Sequence, residues 1–335
     1  VVNYWQPGVG MNIDPTTLSG KELANVEQSV KPLGYGEFLV GLVPTSAVGA
    51  FADGDVLPVL FFSLMFAFAL LSLGEKGRPI VQAVHTVSQV LFKMIAFAMW
   101  VAPIGAFGAI AFTVGRFGVS SLLALGNLVL MFYVLCALFV GLVLLPIAWG
   151  FGINLFKLAR YVGAELMIVV GTSSSESVFP RLNAKLRQLG ADPGVVANVL
   201  PAGYAFNHDG TCLYFSAVSV FLAQAVGLHL TLGQQLGLLA ILLATSKGGA
   251  GVAGSAIVVL ASTLSATGTI PVASVGLILG VHRLLSSAFV PVNILGQAVA
   301  TLAVAKMERA LDVPTFLAEL DRPVGTEVPV DVMEV

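Results

Sequence analysis

Four polar stretches interrupt an apolar chain, and each carries groups able to hold a small ion. GTSSSES (171–177) sets three hydroxyls, Ser173, Ser174 and Ser175, in a row before Glu176. FNHDGT (206–211) places Asn207 and the carboxylate of Asp209 near Gly203 and Thr211. SKGGAGVAGS (246–255) joins Lys247 to Gly248, Gly249 and Gly251. HRLLSSAFVPVN (282–293) carries Arg283, Ser286, Phe289 and Asn293, with Gln297 one turn further on. Small hydroxyl residues and backbone amides at half-helix ends suit an anion. A carboxylate beside amide oxygens and unwound carbonyls suits a hard cation such as Na⁺. This is chemistry for holding a carboxylate and a cation together rather than for making bonds. A Ser174–His208 hydrolase lacks the G-x-S-x-G elbow that would expose the nucleophile, so the chain does not read as an enzyme.

These stretches need elements that work in lipid. Of 335 residues, 57% are hydrophobic and 10% charged, against about a quarter charged in soluble domains. The depletion runs along most of the chain, as in an integral membrane protein. A net charge of −2 argues against a nucleic-acid partner. Cys136 and Cys212 lie in apolar runs and read as core residues rather than a disulfide framework.

Apolar stretches fall near 37–51, 56–73, 80–113, 119–150, 161–180, 194–227, 235–266 and 270–305. Those at 80–113 and 119–150 are long enough for tilted spans, and the first two read as one broken segment. Basic residues gather at Lys76 and Arg78, at Lys157 and Arg160, at Arg181, Lys185 and Arg187, and at Lys306 and Arg309. All should be cytoplasmic by the positive-inside rule. Both flanks of 161–180 then lie on one side, so the segment enters and leaves by the same face as a re-entrant hairpin tipped by GTSSSES. The stretch 235–266 repeats the design with a glycine-rich tip. Each hairpin precedes a long apolar segment with a polar interruption, FNHDGT in the first and HRLLSSAFVPVN with Pro291 as helix breaker in the second. Paired, interrupted segments point to a secondary transporter built from inverted repeats.

Each reading has a plainer competitor. Asp209 at membrane depth is a functional candidate by default, although an Asp also caps half-helices; its FNHDGT context favours a cation site. The serines pack helices closely or face substrate, and both basic flanks favour the latter. The glycine tip is either close packing or a gate of amides, with Lys247 adding positive charge. Glu176 is expected to pair with a basic group or face away.

APIGAFG (102–108), GTSSSES with PRL (171–182), GYAFNHDGT (203–211), SKGGAGVAGSAIVVLASTLSATG (246–268) and GQAVATLAVAK (296–306) together resemble the dicarboxylate/amino acid:cation symporters of glutamate-transporter-like fold. The resemblance reaches to about Leu311 and is nearest the bacterial C4-dicarboxylate branch. It implies an all-α integral membrane protein with two re-entrant helical hairpins and two broken transmembrane helices. It also implies a homotrimer in the bacterial inner membrane, multi-pass, whose substrate domain moves as an elevator. No cofactor is implied beyond a coupling Na⁺ or H⁺. VVNYWQPGVGMN reads as the end of an interrupted helix, with two helices and most of a third expected upstream. Residues 1–36 would be an extracytoplasmic loop and 37–113 scaffold helices. Residues 119–311 would form a transport domain, with hairpins at 154–188 and 231–266 and broken helices at 192–227 and 270–305. Residues 312–335, with six acids against one arginine, read as a disordered acidic cytoplasmic tail.

By resemblance, Na⁺ sits at Asn207 and Asp209, with Gly203, Asn293 and Gln297 completing the cation set. Substrate is met by Ser173, Ser174, Ser175, Thr211, Lys247, Gly248, Gly249, Gly251, Ser286, Phe289 and Asn293. The family places an arginine at the position of Phe289 to grip a distal carboxylate, and here it is missing. Arg283, six residues before Phe289, is a net 240° or so away round a helix and is expected to face elsewhere; the C4 branch has a basic residue there beside the usual arginine. His282 stands where an acid is usual and His208 where an apolar residue is usual. Gln297 replaces an aspartate of amino-acid carriers, as in the C4 branch. Ser286 replaces the aspartate that pairs with a substrate ammonium, which favours a substrate without an amino group. The leading expectation is cation-coupled symport of a C4-dicarboxylate such as succinate, fumarate or malate. Phe289 keeps two alternatives open: a homologue for a monocarboxylate or neutral solute, and a non-transporting remnant with a structural or regulatory role.

Overall fold

The computed structural model describes residues 1–11, 13, 43, 46–53, 56–99, 101, 104, 107–108, 111, 114–115, 120–206, 208–245 and 254–322. Among these residues the architecture is helical, with no strand and one isolated antiparallel bridge between Ala191 and Leu311. A short turn, α1 (Val2–Trp5), is followed by α2 (Ala47–Asp53), α3 (Val56–Leu73) and α4 (Arg78–Met99). Phe51 and Phe62 meet edge-on at 6.1 Å. Eleven residues of straight helix would hold them about 16 Å apart, so α2 and α3 do not form one straight helix and instead pack against each other. On α3 and α4, Leu64, Phe68, Leu71, Val84, Leu91 and Phe97 are exposed, a surface that suits lipid rather than water.

Helix α5 (Ser120–Phe139) runs through a π turn (Val140–Leu144) into α6 (Leu145–Gly150). Pro146 has no N–H to give the preceding turn, and the π turn absorbs that mismatch. Then follow α7 (Leu155–Tyr161), α8 (Gly163–Thr172), a 3₁₀ turn (Glu176–Val178) and α9 (Phe179–Gln188). Asn154 caps α7 by accepting from the Lys157 amide at 3.1 Å. This segment doubles back. The Lys185 ammonium lies 2.9 Å from the Glu165 carboxylate and donates to the Tyr161 carbonyl at 2.7 Å. Lys185 is therefore buried rather than a free cytoplasmic charge, a departure from the simple flank-charge expectation.

The second half comprises α10 (Pro193–Phe206), α11 (Asp209–Ala225), α12 (Leu232–Thr245), α13 (Ser255–Thr267), a 3₁₀ stretch (Val272–Ile278) and α14 (His282–Met307). α12 and α13 pack against each other. α14 is the hub, with α5, α8, α9, α10 and α11 packed around it. Its neighbours contribute the largest buried side chains, Phe132, Tyr214, Phe215 and Phe221. Ser121–Gly150 and His282–Met307 are long and apolar enough to cross a membrane, whereas Gly163–Thr172, Leu232–Leu243 and Ser255–Ser265 are apolar but about half that length.

Two expectations change. Pro291 does not break the last apolar segment: α14 runs through it, held by packing on several sides, and the interruption falls earlier, between Ile278 and His282. The tail is not structureless from its start. Asp312 caps α15 (Val313–Asp321), which buries Phe316 and Leu320. α15 is tied to α7 by the Lys157–Asp321 ion pair and by Arg160, which donates to the Leu320 carbonyl at 3.1 Å. An amphipathic turn hidden in an acidic segment is hard to separate from a solvated tail by composition alone.

Candidate substrate and cation site

The first half-site is the gap between α10 and α11. α10 ends at Phe206, and His208, buried at the cap of α11, has a non-helical φ of −105° and ψ of 64°. The first amides of α11 have no partner within their own helix. α14 supplies one: Asn293 Oδ1 accepts from the Gly210 amide at 2.8 Å and the Thr211 amide at 3.3 Å. Asn293 Nδ2 donates to the Thr211 hydroxyl at 3.0 Å. The approach needs a glycine, because a Cβ on Gly210 would lie 2.2 Å from the Phe289 carbonyl oxygen. Asp209, half-buried, heads α11 beside this junction.

One turn along α14 from Asn293, Gln297 is 1% exposed, and neither its amide nitrogen nor its amide oxygen has a hydrogen-bond partner. A Cβ on Gly203 of α10 would meet its side chain at 3.4 Å. Gly203 and Gln297 thus meet one turn from Asn293, and Asp209 directly precedes Gly210, which Asn293 caps. An orphaned buried amide costs about 1–3 kcal/mol and is explained when a ligand or water completes it. Asn207 lies outside the described residues.

The serine tip is the second half-site. α8 ends at Thr172 and is capped by Ser173, whose φ of 52° is left-handed and lets the chain turn sharply. Ser173 and Ser175 are buried; of the three serines, only Ser174 is partly open. The Tyr204 hydroxyl donates to the Ser175 carbonyl at 3.0 Å, and the Ser286 and Ser173 hydroxyls lie 3.2 Å apart. Arg283 does not face elsewhere. Its guanidinium donates to the Thr172 carbonyl at 3.1 Å and also to the Gly171 carbonyl. The carbonyl end of a helix attracts a cation, and a long side chain spans the angle that helical-wheel geometry put between Arg283 and this face. Glu176 opens the next turn and is half-buried. Lys247, Gly248, Gly249 and Gly251, the expected second tip, lie outside the described residues.

Phe289 occupies an aromatic cluster. Its ring lies 5.1 Å from Tyr214, 6.3 Å from His282 and 6.5 Å from Phe132. His282 Nδ1 and the Tyr214 hydroxyl pair at 3.1 Å, while His282 Nε2 has no partner. The two departures noted in the sequence, an arginine become Phe289 and an acid become His282, are therefore neighbours. Their rings lie 6.3 Å apart, and His282 pairs with the Tyr214 hydroxyl rather than with a charged side chain.

Sequence reasoning missed the reach of Arg283, the Tyr204 anchor and the Glu165–Lys185 pair. Glu165 was the available signal, a lone acid within an apolar run, one arm away from a basic residue at hairpin spacing.

The model of the sodium:dicarboxylate symporter family matches residues 1–307. A "C4-dicarboxylate transport protein" of Laribacter hongkongensis (strain HLHK9) is 50% identical over 323 residues, covering 96% of this chain and 73% of the relative. Proteins of the same name are 50% identical in Pectobacterium atrosepticum, covering 96% and 74%, and 49% identical in Yersinia pestis (strain Pestoides F), covering 97% and 76%. Mostly helical among its described residues, with long apolar spans and buried polar groups where α10 and α11 meet α14, the chain belongs to the sodium:dicarboxylate symporter family of membrane proteins.

Proposed function

We propose that the chain is a secondary active transporter that couples Na⁺ or H⁺ to the symport of C4-dicarboxylates such as succinate, fumarate or malate. The observation that carries the reading is the break between α10 and α11, capped by Asn293 and faced by the unpartnered amide of Gln297. A broken helix presents carbonyls from one half and amides from the other, which suits a cation and an anion held side by side. The cation is held by Gly203, Asn207, Asp209, Asn293 and Gln297. The carboxylate lies against Ser174 and the hairpin tips, with Thr211 and Asn293 below. The segments 154–188 and 231–266 act as re-entrant hairpins in a transport domain that moves as an elevator against a trimeric scaffold in a bacterial inner membrane. The names of the relatives support the substrate class.

Phe289 favours a second reading, an altered-specificity carrier for a monocarboxylate or neutral solute, because its ring partners are uncharged. Uptake of labelled succinate and labelled butyrate into proteoliposomes of the full-length protein separates the two. The first reading expects succinate to be preferred. Butyrate alone supports the second, and no uptake of either contradicts both.

A further inference from the structure

We propose that Arg283 grips the substrate carboxylate in this chain, taking over from the arginine absent at position 289. The inference rests on the carboxylate-transport reading above and deepens it. A guanidinium carries five N–H donors in a planar fork. In Arg283 one nitrogen serves the Thr172 carbonyl and another the Gly171 carbonyl, so the group is fixed in place and the rest of the fork stays available. It sits on the serine tip, one helical turn from Ser286, whose hydroxyl touches Ser173. Arg283 is half-buried, open enough for a ligand and sheltered enough for its charge to count.

The buried cluster of Phe289 with Tyr214, Phe132 and His282 offers no permanent charge. Of the other cations near the tip segment, Lys185 is committed to Glu165 and the Tyr161 carbonyl. Arg283 is the cation whose contacts, to the Thr172 and Gly171 carbonyls, set it on the serine tip itself. A bidentate Arg–carboxylate contact is roughly twice as strong as a neutral hydrogen bond, which makes its position decisive for specificity. Of the two basic positions that the resemblance implies for α14, this chain keeps only Arg283, in the first turn and against the hairpin.

The test compares succinate with its monoamide, succinamate, as competing substrates in proteoliposomes of the full-length protein. Wild type should prefer succinate by tenfold or more. Arg283→Gln should raise the succinate KM at least tenfold, leave the succinamate KM nearly unchanged and so abolish the preference. Arg283→Lys should keep part of it. A purely structural clamp on the tip would weaken both substrates equally, and that result overturns the proposal while leaving the transport reading intact. A wild-type protein that moves no carboxylate overturns the transport reading and the inference together. If Arg283→Gln fails to fold, a preference in Arg283→Lys equal to that of wild type overturns the bidentate grip.

Discussion

Placing a charged pair at positions 282 and 289 tests how the centre of the molecule tolerates charge. Phe289→Arg alone puts a guanidinium at a position 5% exposed, among Phe132, Tyr214 and His282. No carboxylate is among those ring partners, so the charge is buried without a counter-ion and should destabilise by about 3–5 kcal/mol. His282→Asp alone buries a carboxylate. The Tyr214 hydroxyl, now 3.1 Å from the imidazole, would offset part of that through a charge-assisted bond of about 1.5–3 kcal/mol. In the double variant the two charges face each other across the 6.3 Å that now separates the rings. At about 4 Å and an effective dielectric near 20, their attraction is about 4 kcal/mol. The double variant should thus be more stable than the sum of the singles by about 3 kcal/mol. Unfolding titrated with SDS, run as a double-mutant cycle, measures this coupling. Effects that add to within about 0.5 kcal/mol would refute the reasoning, because groups in contact must couple.

Three further outcomes follow from the same geometry. Gly210→Ala would push a methyl to 2.2 Å from the Phe289 carbonyl oxygen and should lower the unfolding midpoint by the equivalent of about 2–3 kcal/mol; Gly171→Ala, with nothing within 4 Å, should barely change it. Lys185→Met leaves Glu165 buried and unpaired and should destabilise by about 3–5 kcal/mol, while adding Glu165→Leu should recover most of the loss in the same titration. Gln297→Leu removes an unsatisfied amide and should stabilise the cation-free protein by about 1 kcal/mol, yet weaken protection by the coupling cation about tenfold; thermal unfolding with and without Na⁺, at two pH values, reads both effects.

Much of this site was legible because its signals are local. A polar knot in an apolar run and a lone Asp in another are visible without coordinates, and the helix break at FNHDGT lies where the sequence put it. Side-chain reach was less accessible. Helical-wheel geometry fixes where Cβ points, not where a guanidinium ends, so Arg283 was turned away from a tip it contacts. Pro291 misled for a related reason. The rule against proline inside a helix is a local cost, and packing from several neighbours keeps α14 continuous. Phe289 and His282 were each legible as departures, but their proximity across two turns of α14 was not.

The central claim is that carboxylate and cation bind side by side at the break between α10 and α11 and move as a coupled pair. Its most direct test is uptake of labelled succinate into proteoliposomes of the full-length protein, with the Na⁺ gradient and the pH gradient imposed singly and then both dissipated. The account predicts accumulation above equilibrium under one of the gradients, and none when both are dissipated. Uptake that is unchanged when both gradients are removed, or no uptake under either, would contradict it.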